Sequence, residues 1–253
     1  MKALITGASS GLGADMARIL SNMGYDLILV ARRKTKLEKL QKEIKTNVDI
    51  EIMDISSTFN CMKLYNKYKK EDIDIIVNNA GFGVYGEFAS TSIDKELDMI
   101  DINIKTVHTL TKLFLNDFKK KDKGYILNVA SSAAFLPGPL MASYYATKSY
   151  VLNLTSAISE ELRRNDSNVY IGCLCPGPVD TEFNRVAKCS FSIKGMNSYQ
   201  VAQYAIDQMF KRKKIIIPGF KMKLGIFFSK LIPMSLKLKI SYKIQNGKSW
   251  PQI

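Results

Sequence analysis

The stretch ITGASSGLG, residues 5 to 13, puts Gly7, Gly11 and Gly13 within seven positions. A tight turn needs one glycine, not three. The flanks explain the excess. KALIT (2–6) is a short apolar run of strand length. After the glycines, Met16, Ile19, Leu20 and Met23 recur at helical spacing until Gly24. The chain is therefore predicted to pass directly from a first strand into a first helix. Without Cβ atoms, such a turn lets the helix pack close to the strand. It also lets a phosphate reach the free N–H groups at the helix N-terminus. The spacing G-x-x-x-G-x-G differs from the common G-x-G-x-x-G fingerprint, so the strand–helix context carries the reading. Gly7, Ser9, Ser10, Gly11, Leu12 and Gly13 become candidate dinucleotide contacts.

The strand–helix alternation continues along the chain. LILVA (27–31) is a fully apolar run, as a strand buried on both faces requires. KTKLEKLQKEIKT is an amphipathic helix carrying Leu37, Leu40 and Ile44. VDIEIMDI, IDIIVNNAG, YILNVAS (125–131) and NVYIGCLCPG (168–177) are further strands, and KRKKIIIPG holds the last one. Helical segments lie near 93–119 and 144–164. This order predicts an α/β fold: a parallel sheet with helices on both faces and right-handed crossovers. No linker or internal repeat interrupts the 253 residues, so a single domain over 1–253 is expected.

Other features bound the setting. No run of 18 apolar residues is present, and the first residues lack the apolar core of a signal peptide. The cysteines (Cys61, Cys173, Cys175, Cys189) lack metal-ligand spacing, so no metal is expected. Cys173 and Cys175 fall on one face of a strand as buried thiols, and a reducing cytoplasm is the expected compartment. The net charge of +14 fits a solvated lysine-rich surface, a nucleic acid or a membrane. Its clusters are Lys34–Lys45, Lys119–Lys123 and the chain from Lys211 onward. No nucleic-acid-binding motif accompanies them, so a nucleic-acid partner is not expected.

Which dinucleotide is favoured depends on the end of the second strand, where an acid suits a free ribose 2′-hydroxyl. Here Arg32 and Arg33 stand instead, a pair suited to a 2′-phosphate, so NADP(H) is expected over NAD(H). The alternative is that they open a solvated helix. Asp54, with Ile55, ends the third strand, where it either meets the adenine or caps the following helix.

Tyr144 and Lys148 are four apart in a helix and share a face. Ser131 ends the strand YILNVAS, at the edge where open α/β sheets hold ligands. A phenol with an ordinary pKa near 10 gains roughly 3–4 kcal/mol of stabilisation for its anion from an ammonium about 4.5 Å away, which brings it close to neutrality. Such a pair suits proton transfer to a carbonyl oxygen.

Together TGASSGLG (6–13), NNAG (78–81), Asn103 in DINIKT, NVAS (128–131), YYATK (144–148) and PGPVDT (176–181) resemble the short-chain dehydrogenase/reductase family, in its compact single-domain branch. The likeness covers about residues 1–215. It implies a Rossmann-type, doubly wound parallel sheet and an oxidoreductase in which Asn103, Ser131, Tyr144 and Lys148 form a catalytic tetrad. In that tetrad Tyr144 is the acid/base, Lys148 lowers its pKa and holds the nicotinamide ribose, Ser131 stabilises the oxyanion and Asn103 supports a relay water. It further implies that Asn79, Ala80 and Gly81 lie under the adenosine and that Pro176, Gly177, Val179 and Thr181 line the nicotinamide pocket. A dimer or tetramer is common in the family. Neighbouring Ser132 and Tyr145 are assigned to loop and packing roles, because only Tyr144 has the spacing of four to Lys148. A catalytically silent cofactor-sensing protein on the same fold is the alternative.

Phe135, Leu136, Leu140 and Met141 suggest a hydrophobic substrate, steroid-like or lipid-derived, or else a subunit interface. Residues 183–214 are expected to form a substrate lid and a helix. Beyond them, 220–253 is a basic amphipathic extension in which Phe220, Leu224, Phe227, Phe228 and Leu231 follow helical spacing among lysines. It suits peripheral membrane contact, a partner subunit, or a cover over the active site.

Overall fold

Alternation along the strands decides which helices cover which face. The computed structural model describes residues 1–183, 187 and 195–246. Seven strands, β1 (Lys2–Thr6), β2 (Asp26–Ala31), β3 (Val48–Ile52), β4 (Ile75–Asn78), β5 (Tyr125–Val129), β6 (Tyr170–Leu174) and β7 (Ile215–Ile216), form one sheet. Its order is β3-β2-β1-β4-β5-β6-β7, and every pairing is parallel. Ala3, Ile5, Leu27, Leu29, Ile75 and Val77 point to one face. There they pack against α1 (Gly11–Asn22), α2 (Lys34–Glu43) and α7 (Ser198–Phe210). Their neighbours Leu4, Ile28, Val30 and Ile76 point to the other face, covered by α3 (Thr58–Tyr68), α5 (Val107–Lys121) and α6 (Ala142–Arg164). The expected Rossmann-type sheet is thus present as one domain, and strand order reverses between β1 and β4, where a crevice opens beyond the strand ends.

Details depart from the sequence reading. Helix α3 was not foreseen; it buries Cys61, Leu64 and Tyr68, one stripe of an otherwise polar segment. The segment near 93–119 is a continuous helical run of three parts. These are α4 (Ile93–Ile100), a π-helical turn (Asp101–Thr106) and α5. Ile44 lies just past the end of α2 in extended backbone. Cys61, Cys173 and Cys175 are buried free thiols, with the last two sulfurs 3.7 Å apart. Cys189 and most of 183–194, the first part of the expected lid, lie outside the described residues; α7 is the helix expected after it.

Beneath the crevice a polar cluster crosses the apolar interior. Asn78 Nδ2 donates to Asn128 Oδ1 (2.8 Å) and Thr111 Oγ1 (3.1 Å), and Asn128 Nδ2 donates to Thr155 Oγ1 (2.9 Å). All four residues are buried. The cluster ties β4 and β5 to α5 and α6, which carry the site. Asn128→Ala removes a hydrogen bond from buried residues on three elements, Asn78, Thr111 and Thr155, so stability should fall by about 2–4 kcal/mol. Urea denaturation at pH 7 measures this, and a change under about 0.5 kcal/mol would show that the cluster does not stabilise the fold.

Candidate active site

The glycines are required by two backbones approaching each other. Asn79, just beyond β4, donates from Nδ2 to the carbonyls of Thr6 (3.0 Å) and Gly7 (3.2 Å). Thr6 Oγ1 accepts in return from the Asn79 and Ala80 N–H groups (3.0 and 3.1 Å). A Cβ on Gly13 would stand 2.5 Å from both the Gly7 oxygen and Asn79 Nδ2. One on Gly7, whose φ is +66°, would stand 2.8 Å from the Ala80 Cα. The turn is therefore stitched to the end of β4, and the first N–H groups of α1 open into the crevice.

A cavity of about 1060 Å³ runs from this turn along the strand ends. Every sequence-nominated cofactor position lines it except Gly13, which packs behind the turn. At one end Arg33 lies across the turn, donating to Ser9 Oγ (2.8 Å) and Ser10 Oγ (2.7 Å). It is ion-paired with Glu182 (2.6 Å), which also binds Lys36. These two cations, Lys36 first, hold the Glu182 carboxyl down at about 2. Arg32 is exposed, 3.7 Å from Asp54. Asp54 Oδ1 accepts from the Ser56 N–H (3.0 Å) while the residue also lines the cavity. Burial raises its pKa, but the Ser56 hydrogen bonds and Arg32 outweigh that and leave it below the ordinary value.

At the other end the proposed reacting groups converge. Tyr144 and Lys148, on α6, are both buried, with the ammonium 5.8 Å from the phenol ring centroid. Lys148 Nζ donates to the Val129 carbonyl (3.0 Å). Desolvation pushes its pKa from 10.5 to about 8, so the ammonium persists at neutral pH. Ser131 caps a 3₁₀ turn (Ser132–Phe135), its Oγ accepting from the Ala133 N–H (3.2 Å). Leu136, Met141 and Phe183 add apolar wall, and Gly83 leaves room there for Phe183, Met141 and Tyr144. Leu140 takes a left-handed φ of +64° in the same loop. Phe135 packs instead against the buried cluster of Val151, Leu152 and Cys173.

Asn103 stands apart from the cavity lining. Fully buried in the π-helical turn, it donates to the Phe82 carbonyl (2.9 Å) and Thr147 Oγ1 (3.0 Å) and accepts from the Phe82 N–H (3.1 Å). Those bonds clamp the Gly81–Phe82 segment to α6, beside Lys148. Asn103 therefore braces the wall, and π-turns of this kind recur at functional sites.

Several lining residues went unnoticed in the sequence. Glu182 follows PGPVDT with no periodicity to mark it. The roof comes from α8 (Phe220–Ser229) and α9 (Met234–Asn246), through Met222, Ile226, Ser241 and Gln245. Tyr145 stacks on Gly138 and receives a hydrogen bond from Gln245 Nε2, so it both packs and lines the cavity.

The short chain dehydrogenase family model matches residues 1–189. The chain belongs to the short-chain dehydrogenase family. As a member it is an oxidoreductase. The human very-long-chain 3-oxoacyl-CoA reductase is 33% identical over 74% of this chain and 62% of its own length. The zebrafish (Danio rerio) very-long-chain 3-oxoacyl-CoA reductase-B is 31% identical over 79% and 67%. The chain thus spans about two thirds of the length of these relatives. A short-chain dehydrogenase from Sphingobium yanoikuyae, solved in complex with NADPH, superposes with a TM-score of 0.82 at 26% identity, covering 91% of this chain and 93% of that one. A nicotinamide cofactor accords with the cavity: the Cβ-free turn, the open helix N-terminus and the cations at one end match a dinucleotide's phosphates.

Burial of the Lys148 ammonium costs the cofactor-free protein stability below about pH 8, and that cost fades as pH rises toward 10.5. Lys148→Met should therefore stabilise it by about 2 kcal/mol at pH 7, the relief of about 3 kcal/mol less about 1 for the lost bond to Val129. Denaturant titrations at pH 7 and pH 10 should show the gain shrinking at the higher pH. A destabilised variant at pH 7 would contradict the assignment.

Proposed function

We propose that this short-chain dehydrogenase reduces a ketone on a long apolar substrate, of the 3-oxoacyl thioester kind, with NADPH in preference to NADH. The observation that carries the reading is that Tyr144, Lys148 and Ser131 line the same cavity as the glycine turn and Arg33, with the Lys148 ammonium 5.8 Å from the Tyr144 ring. The apolar lining from Leu136, Met141, Phe183 and Ile226 suits an acyl chain, and relatives sharing about a third of their residues carry 3-oxoacyl-CoA reductase names.

When bound, the nicotinamide supplies the hydride. The chain supplies position and protons. Tyr144 O–H donates its proton to the substrate oxygen as negative charge builds there. Ser131 Oγ accepts from Ala133, which leaves its own hydrogen for that oxygen. Lys148, charged below about pH 8, stabilises the phenolate left behind and reaches the cofactor ribose. Asn103, through Phe82 and Thr147, keeps the wall beside Lys148 in place. Arg33, with Lys36 beside it, receives the 2′-phosphate in exchange for Glu182.

Two substitutions test these roles. Tyr144→Phe keeps the ring and should lower kcat at least about 100-fold while NADPH binding, read by fluorescence titration, stays within about threefold. Retained turnover on a 3-oxoacyl thioester would exclude Tyr144 as the proton donor. Arg33→Ala removes a charged partner of the phosphate, so Kd for NADPH should rise about 10–100-fold and that for NADH hardly at all. Equal losses for both cofactors would show that Arg33 does not select the phosphate.

A further inference from the structure

The last helix wears its polarity inside out, and the one before it buries only Ile226. On α9, Ser241 and Gln245 are buried, at 2% and 1% exposure. Ser241 Oγ donates to the Pro137 carbonyl (2.9 Å), Gln245 Nε2 to Tyr145 Oη, and Tyr85 O–H to the Gln245 carbonyl (3.1 Å). These polar contacts fasten the helix over the cavity, while its apolar side chains face outward. Phe220 (77% exposed), Phe227 (59%), Leu231 (69%) and Met234 (57%) head the exposed set. Leu236, Ile240 and Ile244 continue it along one stripe of α9. Eleven of the twenty-two large apolar side chains exposed among the described residues fall within 220–246. A patch of this density marks an interaction surface.

Charge identifies the occupant. From residue 208 to the end the chain holds 11 lysines and arginines and no aspartate or glutamate. The first 207 residues hold the remaining 26 cations against 23 acids, so +11 of the net +14 belongs to this segment. A second copy of the same surface would oppose cations to cations, with no acid to pair them. A folded partner could complement the charge, but apolar groups interleaved with lysines along short helices match a lipid headgroup layer with acyl chains behind it. Helices of 10 and 13 residues are about 15 and 20 Å long, too short to cross a bilayer, and no helix among the described residues is long and apolar enough to do so.

We propose that α8 and α9 form an interfacial membrane anchor, lying flat on an anionic bilayer with Phe220, Phe227 and Leu231 among the acyl chains and the lysines at the phosphates. The same helices border the cavity. Phe228, Ile240 and Ile244 are each about half exposed and also line it. The docked surface therefore carries the cavity's mouth, and an apolar substrate passes from lipid into the cavity without crossing water. The docking rests on the tail surface alone and stands independently of the reaction proposed above.

Flotation of the purified full-length chain on phosphatidylcholine vesicles, with and without phosphatidylserine, tests this. The chain should float with the phosphatidylserine vesicles, at least about tenfold less with phosphatidylcholine alone, and less as salt is raised. The triple variant Phe220→Ser, Phe227→Ser, Leu231→Ser changes only exposed residues outside the cavity lining. It should keep its circular dichroism and melting temperature and lose flotation at least about tenfold. Lys230→Glu, Lys239→Glu, Lys243→Glu should lose it specifically on phosphatidylserine. Wild-type chain that stays unbound on both vesicles would overturn the anchor, as would serine variants that float normally. A wild-type dimer that does not float, and that the serine variant turns into monomer, would overturn it in favour of a second copy.

Discussion

Everything at the site depends on how closely the first turn approaches the end of β4. One amide, that of Asn79, spans the Thr6 and Gly7 carbonyls, and it reaches both only because Gly13 has no side chain to interpose. The contact sits where strand order reverses, so the two halves of the sheet diverge from it and leave the crevice between them. A bulkier turn would push α1 away from the sheet. The N–H groups at its N-terminus would then no longer open into the cavity that Arg33 and Tyr144 also line.

The second constraint is a charge held where solvent cannot reach it. Lys148 costs the fold free energy below about pH 8, and the Val129 carbonyl returns only part of it. Stability alone would favour an apolar side chain there. What the ammonium gives in exchange is a field at a neighbouring phenol, undiluted by water. The polar cluster of Asn78, Asn128, Thr111 and Thr155 lies on the same side of the sheet and holds α6, which bears both residues, in register with the strands.

Much of this was legible from local pattern. The glycine spacing, the apolar runs and the helical periodicities each depend on residues close in sequence, and they located the sheet, its helices and most of the cavity wall. Helix α3 escaped because only Cys61, Leu64 and Tyr68 mark its buried side, in a segment otherwise rich in lysine and asparagine. Asn103 could be nominated from its motif, but its hydrogen bonds to Phe82 and Thr147, 21 and 44 residues away, could not be read there. Glu182 and Gln245 belong to the same class. Each acts through partners roughly 100 or more positions distant, which no periodicity encodes. The tail showed its amphipathic spacing in the sequence. Which side faced the protein depended on Tyr85, Pro137 and Tyr145 meeting it in three dimensions.

Glu182 also shapes how an anion arrives. Its carboxylate draws the Arg33 guanidinium and the Lys36 ammonium, from the start of α2, to a single point. The entropy of gathering two long flexible cations is therefore spent before any ligand enters, and a newcomer inherits a finished receptor. Because Glu182 comes from the segment after β6, the exchange also unties that segment from α2. In the proposed reading, the arrival of a cofactor phosphate and the release of Glu182 from Arg33 and Lys36 become one event.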